Sequence, residues 1–176
     1  MTAFPFELMI AMMHMIGEGV FDRFPRLRVG FMEGAAGWLP FWMERFDEHL
    51  EKLAPQMPDL KRRPSEIIKS EQLILTCESE ETGLDRVLEA AGAETVCYAS
   101  DYCHWDCHFP DSVRDVVGAR DMNFEQKERI LGLNAIEFFE LKNLPEPRAL
   151  KIAQQSWEEG EGEKAMAKRY EARENV

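Results

Sequence analysis

Three short apolar runs, Arg26-Leu-Arg-Val-Gly-Phe-Met32, Gln72-Leu-Ile-Leu-Thr76 and Glu94-Thr-Val-Cys-Tyr-Ala99, each lead through a loop into a stretch with helical spacing. Strand-sized runs that are apolar almost throughout and alternate with helices indicate βα units of a parallel sheet with both faces covered. After the first run, Glu33 and Gly34-Ala-Ala-Gly37 form a flexible turn. Trp38 to Leu53 then sets Leu39, Trp42, Phe46, Leu50 and Leu53 on one helical face, with Glu44, Arg45, Glu48, Glu51 and Lys52 on the other. A polar, proline-punctuated connection from Pro55 to Pro64 leads to the second run, and Thr82 to Ala91 reads as a helix stopped by Gly92. The third run opens into a polar loop from Ser100 to Pro110. Helices are predicted beyond it over Asp111 to Val117 and Phe124 to Leu141, the latter with Asn123 as N-cap. Ahead of all three units, Phe4 to Phe21 is helix-compatible and apolar nearly all round, which marks a helix buried on more than one side.

At 176 residues the chain suits one domain, and 45% hydrophobic residues exclude disorder throughout. The 33 acidic against 21 basic residues, a net charge of -12, argue against nucleic acid or an anionic membrane as the partner. Leu8 to Ile16 is interrupted by His14 and too short to span a bilayer, and no secretory signal is evident, so a cytoplasmic protein is expected. Cys77, Cys97, Cys103 and Cys107 are then read as reduced thiols. The composition changes near Pro145. Residues 1–144 form the expected domain, and 145–176 a charged tail or, given Trp157, Met166 and Tyr170, an arm that clasps a partner.

The densest chemistry is Ser100-Asp-Tyr-Cys-His-Trp-Asp-Cys-His108, just past the third strand, where parallel βα proteins place their sites. Cys103 and Cys107 lack a second pair at zinc-finger spacing, so they suggest no finger. Asp101 ends an apolar strand and must be satisfied by a hydrogen bond, a cation or a metal; spacing leaves these open. Glu33 and Glu78 follow the other two strands. Each is a helix cap or part of a shared mouth, and the three carboxylates converge if the strands are neighbours. His14 reads as a packed or interface residue of the first helix and His49 as solvent-facing.

Several separated motifs, in order, resemble the amidohydrolase-2 family of metal-dependent hydrolases and decarboxylases. They are Gly19 to Glu33, Gly37-Trp-Leu-Pro40 with Arg45-Phe-Asp47, Pro64-Ser-Glu66, Tyr98-Ala-Ser-Asp-Tyr102 with His104-Trp-Asp106 and Phe109-Pro110, and Ile130-Leu-Gly-Leu-Asn-Ala135. The resemblance covers roughly residues 4 to 141 and implies the last three or so units of a (β/α)8 TIM barrel holding a divalent metal, usually zinc. Asp101 matches the family's last-strand metal aspartate, which binds the metal or handles the proton of its water. Glu33 stands where some members carry a catalytic histidine. His104 joins them as a catalytic candidate, and Trp38, Trp105 and Glu78 are candidate substrate contacts.

A whole barrel takes about 250 residues. The match begins after the fifth strand, and no His-x-His occurs in the sequence, so only Asp101 matches a protein ligand. One carboxylate does not hold a catalytic zinc, which normally keeps three protein ligands. An open three-stranded fragment also leaves bare sheet edges. The expectation is therefore a hetero-oligomer: a separate chain supplies the N-terminal barrel half and the histidines, and the shared site acts on a small molecule. The alternatives are a non-catalytic scaffold or regulatory subunit, and half-barrels paired as a homo-oligomer.

Overall fold

The computed structural model describes residues 3–105 and 107–142. The proposed tail, 145–176, and Asp106 lie outside the described residues. The three runs are strands: β1, Val29–Phe31; β2, Leu73–Cys77; and β3, Val96–Tyr98. They form one parallel sheet in the order β1-β2-β3. The register pairs Val29 with Leu73 and Phe31 with Leu75, then Leu75 with Val96 and Cys77 with Tyr98. All three carboxyl ends therefore emerge side by side at one rim.

Side chains alternate across a sheet, and that alternation sorts the two faces. Leu73, Leu75 and Cys77 of β2 join a common core with Phe31 and Val96. To this face the helices contribute Met12, Ile16, Phe21, Leu39, Met43, Phe46, Ile67, Leu84, Val87, Leu88 and Ile130. The opposite pleat carries Gly30, Ile74, Thr76 and Cys97, which pair as Gly30 with Ile74 and Thr76 with Cys97. Helices thus cover the sheet from the side that a barrel turns outward. Burial pushes both the Cys77 and Cys97 thiols up from their ordinary values, in keeping with inert thiols at neutral pH.

Helical periodicity located the helices, with corrections at their ends. The first stretch is two helices, α1 (Ala3–Gly17) and α2 (Val20–Arg23), because Gly19 takes φ 67° between them. A side chain there is blocked as well as strained, since its Cβ would lie 2.4 Å from the Asp59 carbonyl oxygen. The expected burial of α1 on more than one side does not occur among the described residues. Met12 and Ile16 are buried, but Phe4, Phe6, Ile10 and Met13 are exposed, because only the later turns of the helix reach the core. His14 is correspondingly exposed, so it is not packed within the described residues of this chain. His49 is exposed, as its position on the polar face of α3 (Leu39–Leu53) suggested.

The polar connection hides one 3-10 turn, Ala54–Gln56, and leads into a helix that periodicity did not reveal, α4 (Pro64–Ile68). Proline starts α4, and Asp47 of α3 accepts from the Ser65 backbone N–H at 3.0 Å and its hydroxyl at 2.6 Å. There follow α5 (Leu84–Ala91), α6 (Ser112–Gly118) and α7 (Phe124–Glu128). Asn123 caps α7 through its side-chain oxygen, which accepts from Gln126 N–H at 2.9 Å. A π-helical turn, Arg129–Leu133, joins α7 to α8 (Asn134–Phe138). Buried Asn134 donates from Nδ2 to the carbonyls of Ala93 at 2.5 Å and Val96 at 2.6 Å, fastening the last helix to β3. Among the described residues no helix is long and apolar enough to cross a membrane.

Candidate functional site

The rim where the three strands end is organised by hydrogen bonds between its loops. Past β1, Glu33 is held at φ 61° and its N–H donates to the Thr76 hydroxyl of β2 at 2.8 Å. Glu81, beyond β2, accepts from the N–H groups of Ala36 at 2.8 Å and Gly37 at 2.5 Å, both in the loop after β1. It also accepts from Glu78 N–H at 3.2 Å. Burial pushes the Glu81 carboxyl above its usual range, against the opposing pull of those three N–H donors. Glu81 thus clasps two strand-end loops. Spacing alone does not single it out; its signal in the sequence is a carboxylate between a buried strand and the Gly83 that opens α5.

Asp101 lies past β3 at φ 50°, a left-handed conformation that is uncommon for a non-glycine residue and that tends to mark functional positions. Its carboxylate is partly exposed, 3.5 Å from His104 Nδ1, and the His104 backbone N–H donates to the Asp101 carbonyl at 2.8 Å. The fold therefore brings Asp101 and His104 together. It does not draw Glu33 and Glu78 into a shared ligand group with them, although all three strand ends are adjacent. Both glutamates are exposed, and the N–H of each donates into the rim, that of Glu33 to Thr76 and that of Glu78 to Glu81. Trp38 is half-buried against the core and donates its indole N–H to the Gly34 carbonyl at 2.9 Å. Trp105 is exposed, its ring centroid 6.1 Å from that of His104. A cavity of about 480 Å³ between α1 and α3 is lined by residues such as Met13, Trp42 and Phe46, and by none of these rim residues.

The donor chemistry of Asp101 suits a divalent cation, because its carboxylate is partly exposed and, among the described residues, no backbone N–H is bonded to it. The number of donors does not suffice. Among the described residues only His104 stands beside it, short of the three protein ligands that a catalytic zinc keeps. Three potential ligands do meet elsewhere on the rim: Glu80, His108 and Asp115 offer donor atoms within 4.8 Å of one another.

Among solved structures, the chain is similar to a 5-carboxyvanillate decarboxylase from Sphingomonas paucimobilis, with 27% identity and a TM-score of 0.62 over 75% of this chain and 39% of that one. A 5-carboxyvanillate decarboxylase from Novosphingobium aromaticivorans, solved with bound manganese, shares 26% identity at a TM-score of 0.63 over 76% of this chain and 39% of that one. A dihydroxybenzoic acid decarboxylase from Polaromonas, also with bound manganese, is similar in fold at 20% identity and a TM-score of 0.62, over 77% of this chain and 40% of that one. The chain thus spans about two fifths of the length of these structures. No curated protein matches it. Residues 3–141 match the sequence profile of the amidohydrolase family. With the parallel α/β units already described, that match over most of its length makes this chain a member of the amidohydrolase family.

Proposed function

We propose that this chain supplies part of the active site of a metal-dependent decarboxylase, acting on a small carboxylic acid of aromatic type. The observation behind this reading is Asp101: it matches the family's last-strand metal aspartate, and it stands in a left-handed conformation at a strand rim beside His104. The similarity to two 5-carboxyvanillate decarboxylases, at 27% and 26% identity, supports decarboxylation over hydrolysis. The resemblance in sequence pointed to zinc. One of these two neighbours contains manganese, so the reading requires a divalent cation and leaves its identity to metal analysis.

In this reading Asp101 contributes one carboxylate ligand, and the cation, when bound, holds the substrate's oxygens and draws off negative charge. His104 Nδ1, beside Asp101 Oδ2, is placed to hold a proton at the rim. Loss of CO2 breaks a carbon–carbon bond and leaves its electron pair on the ring carbon, which must take up one proton. Glu33, past β1 on the other side of β2, is the second acid to test for that delivery. Trp38, Trp105 and Glu78 remain the candidate substrate contacts. The other metal ligands come from polypeptide outside these 176 residues, in our reading a separate chain bearing His-x-His. The outer edges of β1 and β3, unpaired among the described residues, offer it a place to add strands.

The test is co-purification of the chain with whatever completes the barrel, followed by metal analysis and measurement of CO2 release from aromatic carboxylic acids. Asp101→Ala is expected to abolish turnover together with one equivalent of bound metal. A complex whose metal and turnover ignore that change would refute the assignment. One that assembles without metal or turnover would favour a scaffold subunit.

A further inference from the structure

We infer that Glu80, His108 and Asp115 form a binding site for a divalent transition-metal cation with zinc-like preferences. The three come from separate parts of the rim: Glu80 from the loop after β2, His108 from the loop after β3, and Asp115 from α6. His108 Nε2 lies 3.0 Å from Glu80 Oε2, and His108 Nδ1 lies 3.1 Å from Asp115 Oδ2. The Asp115 and His108 side chains are partly buried, with 18% and 29% of their surface exposed.

The composition of the cluster favours a cation, because two carboxylates within reach of one imidazole place like charges close together. One imidazole nitrogen with two carboxylate oxygens is a donor set that zinc and its neighbours accept, whereas magnesium and calcium prefer oxygen alone. Ligand atoms on a tetrahedral zinc sit roughly 3.3–3.5 Å apart, and here all three donor atoms already lie within 4.8 Å of one another. Side-chain rotation closes that difference, since none of the three donors is a backbone atom. A bound ion would tie the loops after β2 and β3 to α6, and so brace the rim that holds Asp101.

Calorimetric titration of the metal-stripped full chain with zinc chloride tests this. A single equivalent is expected. Glu80→Gln and Asp115→Asn, which keep side-chain shape, should each weaken binding by about tenfold or more. His108→Ala should abolish it, with folding confirmed by circular dichroism. Asp101→Asn and the double change Cys103→Ser, Cys107→Ser should leave it intact. Absence of saturable binding would overturn the inference. So would binding that survives the Glu80 and Asp115 changes, or that is lost with Asp101 or the cysteines.

Discussion

Removing the Glu81 carboxylate should loosen the rim by a predictable amount. Three backbone donors, Ala36, Gly37 and Glu78, converge on it. In Glu81→Ala the N–H of Ala36, a residue with 0% exposure, loses its partner where water cannot replace it. A buried donor left unsatisfied costs about 1–3 kcal/mol. Gly37 and Glu78 are exposed and can be rehydrated, so each adds only about 0.5–1 kcal/mol, for a total of roughly 2–5 kcal/mol. Glu81→Gln keeps an acceptor for the loop after β1 and removes a charge that burial disfavours, so it should cost far less at neutral pH. The sign of the pH dependence follows from the raised carboxyl. Between the ordinary glutamate value and its own, the folded state binds more protons than the unfolded state. Stability therefore falls as pH rises through that window and is level above it. Urea unfolding of wild type and both variants across the weakly acid to neutral range measures all of this. Glutamine should flatten the falling slope, and alanine should lower the whole curve. An alanine loss below about 0.5 kcal/mol, or a glutamine variant as unstable as the alanine one, would refute the clasp.

Three further outcomes follow from the packing. Asp22 accepts from the N–H groups of Lys61 at 2.7 Å and Arg62 at 3.2 Å and from Arg62 Nε at 2.6 Å. Burial alone would raise its carboxyl, but these bonds hold it below its usual range. Its stabilisation is thus present above the unfolded aspartate value and lost as pH falls through the lowered one, and acid titration of Asp22→Asn should lack that limb and be about 2 kcal/mol less stable at neutral pH. Gly19→Ala combines the left-handed conformation with the Asp59 carbonyl in the path of its Cβ; chemical denaturation should report a loss above about 2 kcal/mol. Asn134→Ala strands the carbonyls of Ala93 and Val96 and should cost roughly 2–4 kcal/mol, with Asn134→Asp no better because its oxygens face those of the carbonyls.

The amino-acid order alone settled the alternation of strand and helix, because apolar runs of strand length and helical spacing are both local signals. It also placed Asp101 at a strand end and marked residues now seen to act as brackets: Asp22, Asp47 with Ser65, and Asn134 all belong to the motifs that carried the resemblance. Their contacts join segments far apart in sequence and could not be read from spacing. The split between α1 and α2, the helix at Pro64 and the exposure of His14 were likewise decided by packing, since whether an apolar helix is covered depends on what lies beside it. Carboxylates on adjacent strands were expected to converge. Adjacency held, but the side chains that meet are Asp101 with His104, Glu81 with two loops, and Glu80 with His108 and Asp115. A register fixes backbones, whereas loop conformation and burial choose which side chains turn toward each other, and that choice exists only in three dimensions.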